Sequence, residues 1–317
     1  MTRIYLADPN IQTQQLDAIR EVLPAGWELS DDPAGAAAIL TENVDVTAGM
    51  LQAAGPALKL ILRLDTGRAA VADCGLPVYN LENMGLNGVA EHVVTLILVL
   101  SRNLLWSARQ TKAAAWIPGR DEPILTDQRK YTYNWIGLPS AGAIYRKKVG
   151  IVGLGHIGRE VAKRLRPFGV QLLYTDLQRF DPAVEAELGV SWRTLDDLLR
   201  ESDFVTLHLR FIDGPDGNDK WFGAREFGLM KPTAFFINTA RGRLVDEDAL
   251  IDALQTGKIA GAGLDVFRYE PLPKDSPLLA LAGDRVILTG HVSGTYNVEA
   301  WQITAQELVE RVQEALK

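Results

Sequence analysis

At 317 residues, with 47% hydrophobic side chains and a formal charge of −7, the chain is long enough for two domains with separate cores. Acidic and basic residues are mixed along it, which leaves no electrostatic footprint for nucleic acid or an anionic membrane and favours a small-molecule partner. Cys74 is the only cysteine, so a disulfide framework and a thiolate metal cluster are excluded, and a reducing cytoplasm is expected.

The chain opens on a short predicted strand, 4–7, with no signal-peptide apolar run behind it. A helix is predicted over 15–23 and strands over Ala38–Thr41, 60–64 and Val78–Asn80, with poorly patterned turn residues at 24–35. Strands alternating with helices imply a parallel sheet. The third of these strands runs into Asp65, Thr66, Gly67 and Arg68, a loop at the sheet edge where ligands of open α/β sheets bind. Residues 89–109 are apolar on most faces but interrupted by Glu91, His92, Arg102 and Asn103. They read as one buried helix crossing between two bodies, with His92 a packing residue, and not as a membrane span. From 111 to 146 periodicity is lost, and Trp116, Tyr131, Tyr133 and Trp135 gather in a long irregular segment.

An apolar strand then turns into a helix through Gly153, Gly155 and Gly158. The first glycine permits a tight turn, the second lets backbone N–H groups approach a pyrophosphate, and the third lets the helix pack closely on the strand. The helix N-terminus faces the anion. A second strand, 170–174, leads to Asp176, at the spacing where a carboxylate accepts from the ribose hydroxyls of NAD. Further strands are predicted over 203–209, 234–238, 260–265 and 286–289, with a helix over 246–254 opened by acidic residues. This is one doubly wound sheet of six or so strands. The amphipathic helix Val298–Leu316 could carry the chain back to the first domain.

Three ionisable residues fall just past late strands: Arg241, Glu270 and His291. Taken singly, each has an ordinary reading as a solvated or structural side chain. Together they suit removal of a hydride from a carbon bearing a hydroxyl, which requires the hydroxyl proton to leave as well. An imidazole can take that proton, and a neighbouring carboxylate fixes the ring's orientation. A guanidinium anchors the substrate carboxylate and polarises the oxygen in the reducing direction.

On these residues the chain resembles the D-isomer-specific 2-hydroxyacid dehydrogenases. The likeness is carried by Val89-Ala90-Glu91-His92, the 149–158 turn, Met230-Lys231-Pro232, Asn238-Thr239-Ala240-Arg241-Gly242, Leu264-Asp265-Val266-Phe267 followed by Glu270-Pro271, and His291. The resemblance implies an α/β architecture of two domains. A flavodoxin-like substrate domain (1–99 plus 291–317) and a doubly wound Rossmann NAD-binding domain (100–290) would have a cleft between them. It makes Arg241 the substrate-carboxylate arginine, His291 the acid/base and Glu270 its partner. The backbone of Thr66 and Gly67 should hold the substrate carboxylate, and Asp265 should accept from the nicotinamide carboxamide. The cofactor set is completed by Gly153, Gly155, His156, Ile157, Gly158 and Asp176, together with His208, Thr239, Ala240 and Gly294. A homodimer with the 89–109 helix at the contact is also implied, acting on a small 2-oxo or 2-hydroxy acid.

Four departures stand out: Gly290 and Arg210 occupy positions where the family commonly has proline, Arg68 replaces a small apolar residue, and 111–146 is long and aromatic. Arg68 either binds a second polar or anionic substrate group or points outward. The 111–146 segment shapes substrate access or a subunit contact, or is a surface excursion. Asp176 should repel the 2′-phosphate of NADP and so favour NAD, while Arg179, three residues on, is the nearby group that would attract it. The competing function is a dinucleotide-sensing, corepressor-like binding protein of the same fold.

Overall fold

The computed structural model of the chain describes residues 1–9, 11, 13–42, 44–64, 70–81, 85–139, 141–294 and 298–317. Two compact units are formed, one from Met1–Gly88 and Gly294–Lys317, the other from Val89–Ser293.

In the first unit the order is β1 (Thr2–Leu6), α1 (Thr13–Val22), β2 (Trp27–Ser30), β3 (Ala38–Thr41), α2 (Ala48–Ala54), β4 (Leu60–Arg63) and β5 (Val78–Asn80). All five strands are parallel in the spatial order β2-β1-β3-β4-β5, which is flavodoxin-like. Beyond them, α3 (Gly85–Arg102) and α4 (Leu104–Lys112) lead into the second unit.

That unit continues with β6 (Lys148–Val152), α5 (His156–Leu165), β7 (Gln171–Thr175), α6 (Pro182–Leu188), β8 (Val190–Trp192), α7 (Leu195–Glu201) and β9 (Phe204–Leu207). There follow α8 (Ala224–Leu229), β10 (Phe235–Asn238), α9 (Glu247–Gln255), β11 (Gly261–Leu264), α10 (Pro277–Leu281) and β12 (Val286–Leu288). The seven parallel strands lie in the order β12-β11-β10-β9-β6-β7-β8, a doubly wound Rossmann sheet whose order reverses between β6 and β9. Finally α11 (Val298–Leu316) returns to the first unit, burying Ala305, Leu308 and Val312 with Ile4, Ile19 and Leu62.

A parallel sheet covered on both faces needs strands that are apolar throughout, and β9 and β10 are buried at all four positions. Their side chains alternate: Phe235 and Ile237 pack with α3 and α5, and Phe236 packs in the opposite cluster with Phe222 and Phe227. Ala90, Val93, Ile97 and Leu100 put one face of α3 on this sheet, at helical spacing.

Three expectations change. The helix read over 89–109 is two helices bent by 59°, because Asn103 adopts a left-handed φ of 49°, a conformation that asparagine tolerates. The second sheet has seven strands where six or so were expected, and β2 adds one to the first. Both missed strands, β2 and β8, are short sheet edges, where apolar patterning is weakest. As expected, no helix or strand forms from 113 to 147 among the described residues; Trp116 and Trp135 meet edge to face at 4.4 Å and fold that segment back on itself. No single described helix is long and apolar enough to cross a membrane.

Candidate active site

The turn after β6 has the backbone that its glycines predict. Gly153 has φ +94°, and a Cβ there would come within 2.9 Å of the His208 carbonyl, at the point where the strand order reverses. A Cβ on Gly158 would strike the Gly153 carbonyl at 2.2 Å, so only glycine lets α5 pack this tightly on β6. Gly155 differs: a Cβ there would meet nothing within 4 Å. It caps α5 without a side-chain bond, and the first helical N–H groups have no intrahelical partner to meet. At the end of β10 the Thr239 hydroxyl is buried with no hydrogen-bond partner. An open glycine at a bare helix N-terminus and an orphaned buried hydroxyl both fit a dinucleotide with its pyrophosphate at the glycine turn.

The other predicted cofactor residues are distributed around these strand ends. Asp176 follows β7 and accepts from Leu154 N and Leu177 N, each at 2.7 Å. Each oxygen keeps a second lone pair for a ribose hydroxyl. His156 opens α5 exposed, and Ile157 beside it is half-buried against the sheet cluster. His208 follows β9, with Nε2 3.0 Å from the Thr206 hydroxyl; burial pushes its pKa down to about 3, so the imidazole is neutral. Ala240 is buried beside Thr239. Gly294 begins the second segment of the other unit. Thr66, Gly67 and Arg68 lie outside the described residues.

Arg241, Glu270 and His291 are brought together: all three line one concavity of about 270 Å³, walled by Phe211 and Phe267. A larger apolar hollow, about 380 Å³ beside α4, holds none of the predicted site residues. Arg241 is placed by the chain around it. Buried Asn238 accepts from Ala240 N and donates to the Arg241 carbonyl, both at 3.0 Å. At Gly242 a Cβ would lie 1.9 Å from the Phe267 carbonyl carbon, so the turn carrying Arg241 rests directly on the turn leading to Glu270. Glu270 is fixed by one oxygen, which accepts from Phe267 N at 2.9 Å. Its other oxygen meets His291 Nδ1 at 2.6 Å. With Nδ1 on the carboxylate, Nε2 is the ring nitrogen left to face a reactant.

His291 itself has φ 55°, left-handed backbone that a side-chain-bearing residue adopts only when held there. Asp265 does the holding. Its carbonyl accepts from His291 N at 2.8 Å, and its carboxylate accepts from Val292 N at 3.0 Å and Ser293 N at 2.9 Å. Thr289 donates its hydroxyl proton to the same carboxylate at 2.6 Å, so the contact from His92 Nε2 to that hydroxyl, 3.1 Å, is a bond donated by the imidazole. Burial alone would raise the Asp265 pKa, but the bonds from Thr289, Ser293 and Val292 outweigh it and hold the group below its ordinary value. Thr289 and His92 are thus site-supporting residues that the sequence reading missed or assigned to packing. The one local signal was a histidine on the apolar face of α3.

Comparison with known proteins follows the same lines. Residues 94–293 match the family model described as D-isomer specific 2-hydroxyacid dehydrogenase, NAD binding domain. A glyoxylate reductase of Thermococcus onnurineus is 35% identical over 265 residues, covering 81% of this chain and 73% of that one. A probable 2-ketogluconate reductase of Dictyostelium discoideum is 36% identical over 245 residues, covering 77% and 67%. Among solved structures, a Pyrococcus horikoshii protein superposes with TM-score 0.72 at 26% identity, covering 99% of this chain and 92% of its own. A Lactobacillus delbrueckii D-isomer specific 2-hydroxyacid dehydrogenase, in its NAD-complexed form, shares the fold with TM-score 0.70 at 22% identity, covering 99% and 97%. Sheet order, glycine turn and sequence matches converge on one conclusion: the chain belongs to the D-isomer specific 2-hydroxyacid dehydrogenase family and is an NAD-dependent oxidoreductase that moves a hydride between the nicotinamide and a 2-hydroxy/2-oxo acid pair.

Proposed function

We propose that this enzyme reduces a small 2-oxo acid to its D-2-hydroxy acid, with His291 as acid/base, Glu270 as its orienting partner and Arg241 as the substrate anchor. Bound NADH supplies the hydride. The Arg241 guanidinium pairs with the substrate carboxylate and draws charge toward the neighbouring carbonyl oxygen. His291 Nε2 gives that oxygen a proton, while Glu270 accepts from Nδ1 and keeps the ring turned toward the concavity. In the oxidising direction the same nitrogen takes the proton back. Thr239, the 153–158 turn and Asp176 hold the cofactor. Asp265 serves to fix the His291 backbone, and through it the place of the ring. The observation that carries this reading is the 2.6 Å Glu270–His291 pair opening on the hollow that Arg241 lines.

The test is NADH consumption with glyoxylate, hydroxypyruvate, pyruvate and bulkier oxo acids, with His291→Ala as control. Turnover of at least one small oxo acid that disappears in the control is expected. NADH binding without turnover of any of them would point instead to a dinucleotide sensor. A cytoplasmic homodimer is part of the same reading. Among the described residues α4 buries none of its own, and Leu104 and Leu105 are 52% and 42% exposed, as suits a face covered by a second copy. Sedimentation should give twice the 34.8 kDa chain mass.

A further inference from the structure

Two arginines flank the end of β7, and the chain itself engages both. Arg159, in the first turns of α5, donates from Nε to the Leu154 carbonyl at 3.2 Å and lays its guanidinium 4.7 Å over the Phe180 ring. Arg179, three residues beyond Asp176, makes two parallel bonds to Glu185 on α6: Nε to Oε1 and Nη2 to Oε2, each 2.8 Å. Glu185 is only 9% exposed. It also accepts from the Tyr174 hydroxyl at 2.9 Å, and that hydroxyl accepts from Phe180 N at 2.9 Å. The Arg179 bonds are the foremost reason that the Glu185 carboxyl sits below its ordinary pKa. The pair is planar and bidentate, and although the Arg179 side chain is 59% exposed, the Glu185 side chain is only 11% exposed, so releasing the guanidinium would leave a largely enclosed carboxylate without its cation.

In dinucleotide sites of this fold, an acid at the second strand end meets the ribose hydroxyls, and a nearby arginine is what accommodates a 2′-phosphate. This chain has both groups, yet the arginine is already paired. We propose that Glu185 sets the cofactor preference: by holding Arg179 in a bidentate pair on α6, it withholds the cation that a 2′-phosphate needs and leaves Asp176 to meet the ribose of NAD. Glu185 is a positioning residue, acting through Arg179 without touching the cofactor. The proposal rests on the reading that the 153–158 turn binds NAD.

Dissociation constants for NADH and NADPH, followed by the fluorescence of the reduced nicotinamide, test it without reference to turnover. Wild type should bind NADH more tightly. In Glu185→Gln the ratio of the NADPH constant to the NADH constant should fall about ten-fold, the scale of one recovered charge-assisted contact. Adding Arg179→Ala should restore the wild-type ratio. A purely structural role for Glu185 would weaken both cofactors alike and leave the ratio unmoved. That result in a folded variant, or a fall that persists in the double variant, overturns the proposal. Should Glu185→Gln not fold, Glu185→Asp opens the same pair by one methylene, and the same two outcomes apply. Wild type that binds neither cofactor would instead remove the NAD reading beneath it.

Discussion

Asp265 and Glu270 follow the same strand and serve the same histidine, but from opposite environments. Asp265 is fully buried, and its acceptors take the backbone of the turn: His291 N, Val292 N and Ser293 N, with the Thr289 hydroxyl beside them. Glu270 has a side chain 36% exposed and takes the ring. One carboxylate fixes where His291 starts, and the other fixes where its imidazole points. The difference shows how a site separates rigidity from exchange. Bonds that must never break are placed in the dry interior, where losing one is costly, and the group proposed to handle the proton is placed where solvent reaches it.

If that division holds, the largest effect belongs to the ring itself. His291→Ala should lower kcat on the best oxo acid by about 10³-fold while the thermal midpoint barely moves, as read by steady-state kinetics beside a melt. Asp265→Asn should behave in the reverse manner. An amide cannot accept at both ends, so the turn is left with an unsatisfied buried N–H, and denaturant unfolding should lose about 2–4 kcal/mol. Because the Asp265 pKa is held below its ordinary value, the stability it contributes is present above the unfolded carboxylate pKa and is lost as pH falls through the lower folded one. Equal loss of stability in Asp265→Asn and Glu270→Gln would erase the distinction between the two acids.

Glu270→Gln comes next. It keeps the shape of the pair but not the charge, and kcat should fall roughly ten- to hundred-fold with unfolding unchanged. At neutral pH the smallest effect concerns His208, whose pKa burial lowers from 6.5 to about 3. Between those values the unfolded chain binds a proton that the folded chain does not, so stability falls as pH falls, by at most about 1.4 kcal/mol per pH unit. His208→Gln should therefore flatten the dependence of Tm on pH between about 6.5 and 4.

The parts of this molecule that could be read in the sequence are those built from contiguous residues. Buried parallel strands such as Phe204–Leu207 and Phe235–Asn238 are apolar at nearly every position, and the glycine turn follows its strand without interruption. Arg241, Glu270 and His291 were visible because each stands just beyond such a strand. What stayed hidden depends on residues far apart in the chain. His92 and Thr289 are separated by 197 positions, and nothing local says that an imidazole on a helix should donate to a hydroxyl after the last strand. Arg179 could be seen beside Asp176, but its pairing with Glu185 depends on how α6 packs across the end of β7. The bend at Asn103 falls on an interruption that the sequence does show, Arg102 and Asn103, but left-handed backbone at asparagine costs too little for composition to tell a bend from a polar position on a continuous helix.

The missing side chain at position 242 also bears on how this enzyme could be re-engineered. Since a single added methyl would drive into the Phe267 carbonyl carbon at 1.9 Å, even alanine there must push the guanidinium-bearing turn away from the turn that leads to the acid. Libraries aimed at new substrates should leave this glycine fixed and diversify Phe211 on the wall of the hollow, where a change of shape alters what fits without altering the spacing of the reactive groups.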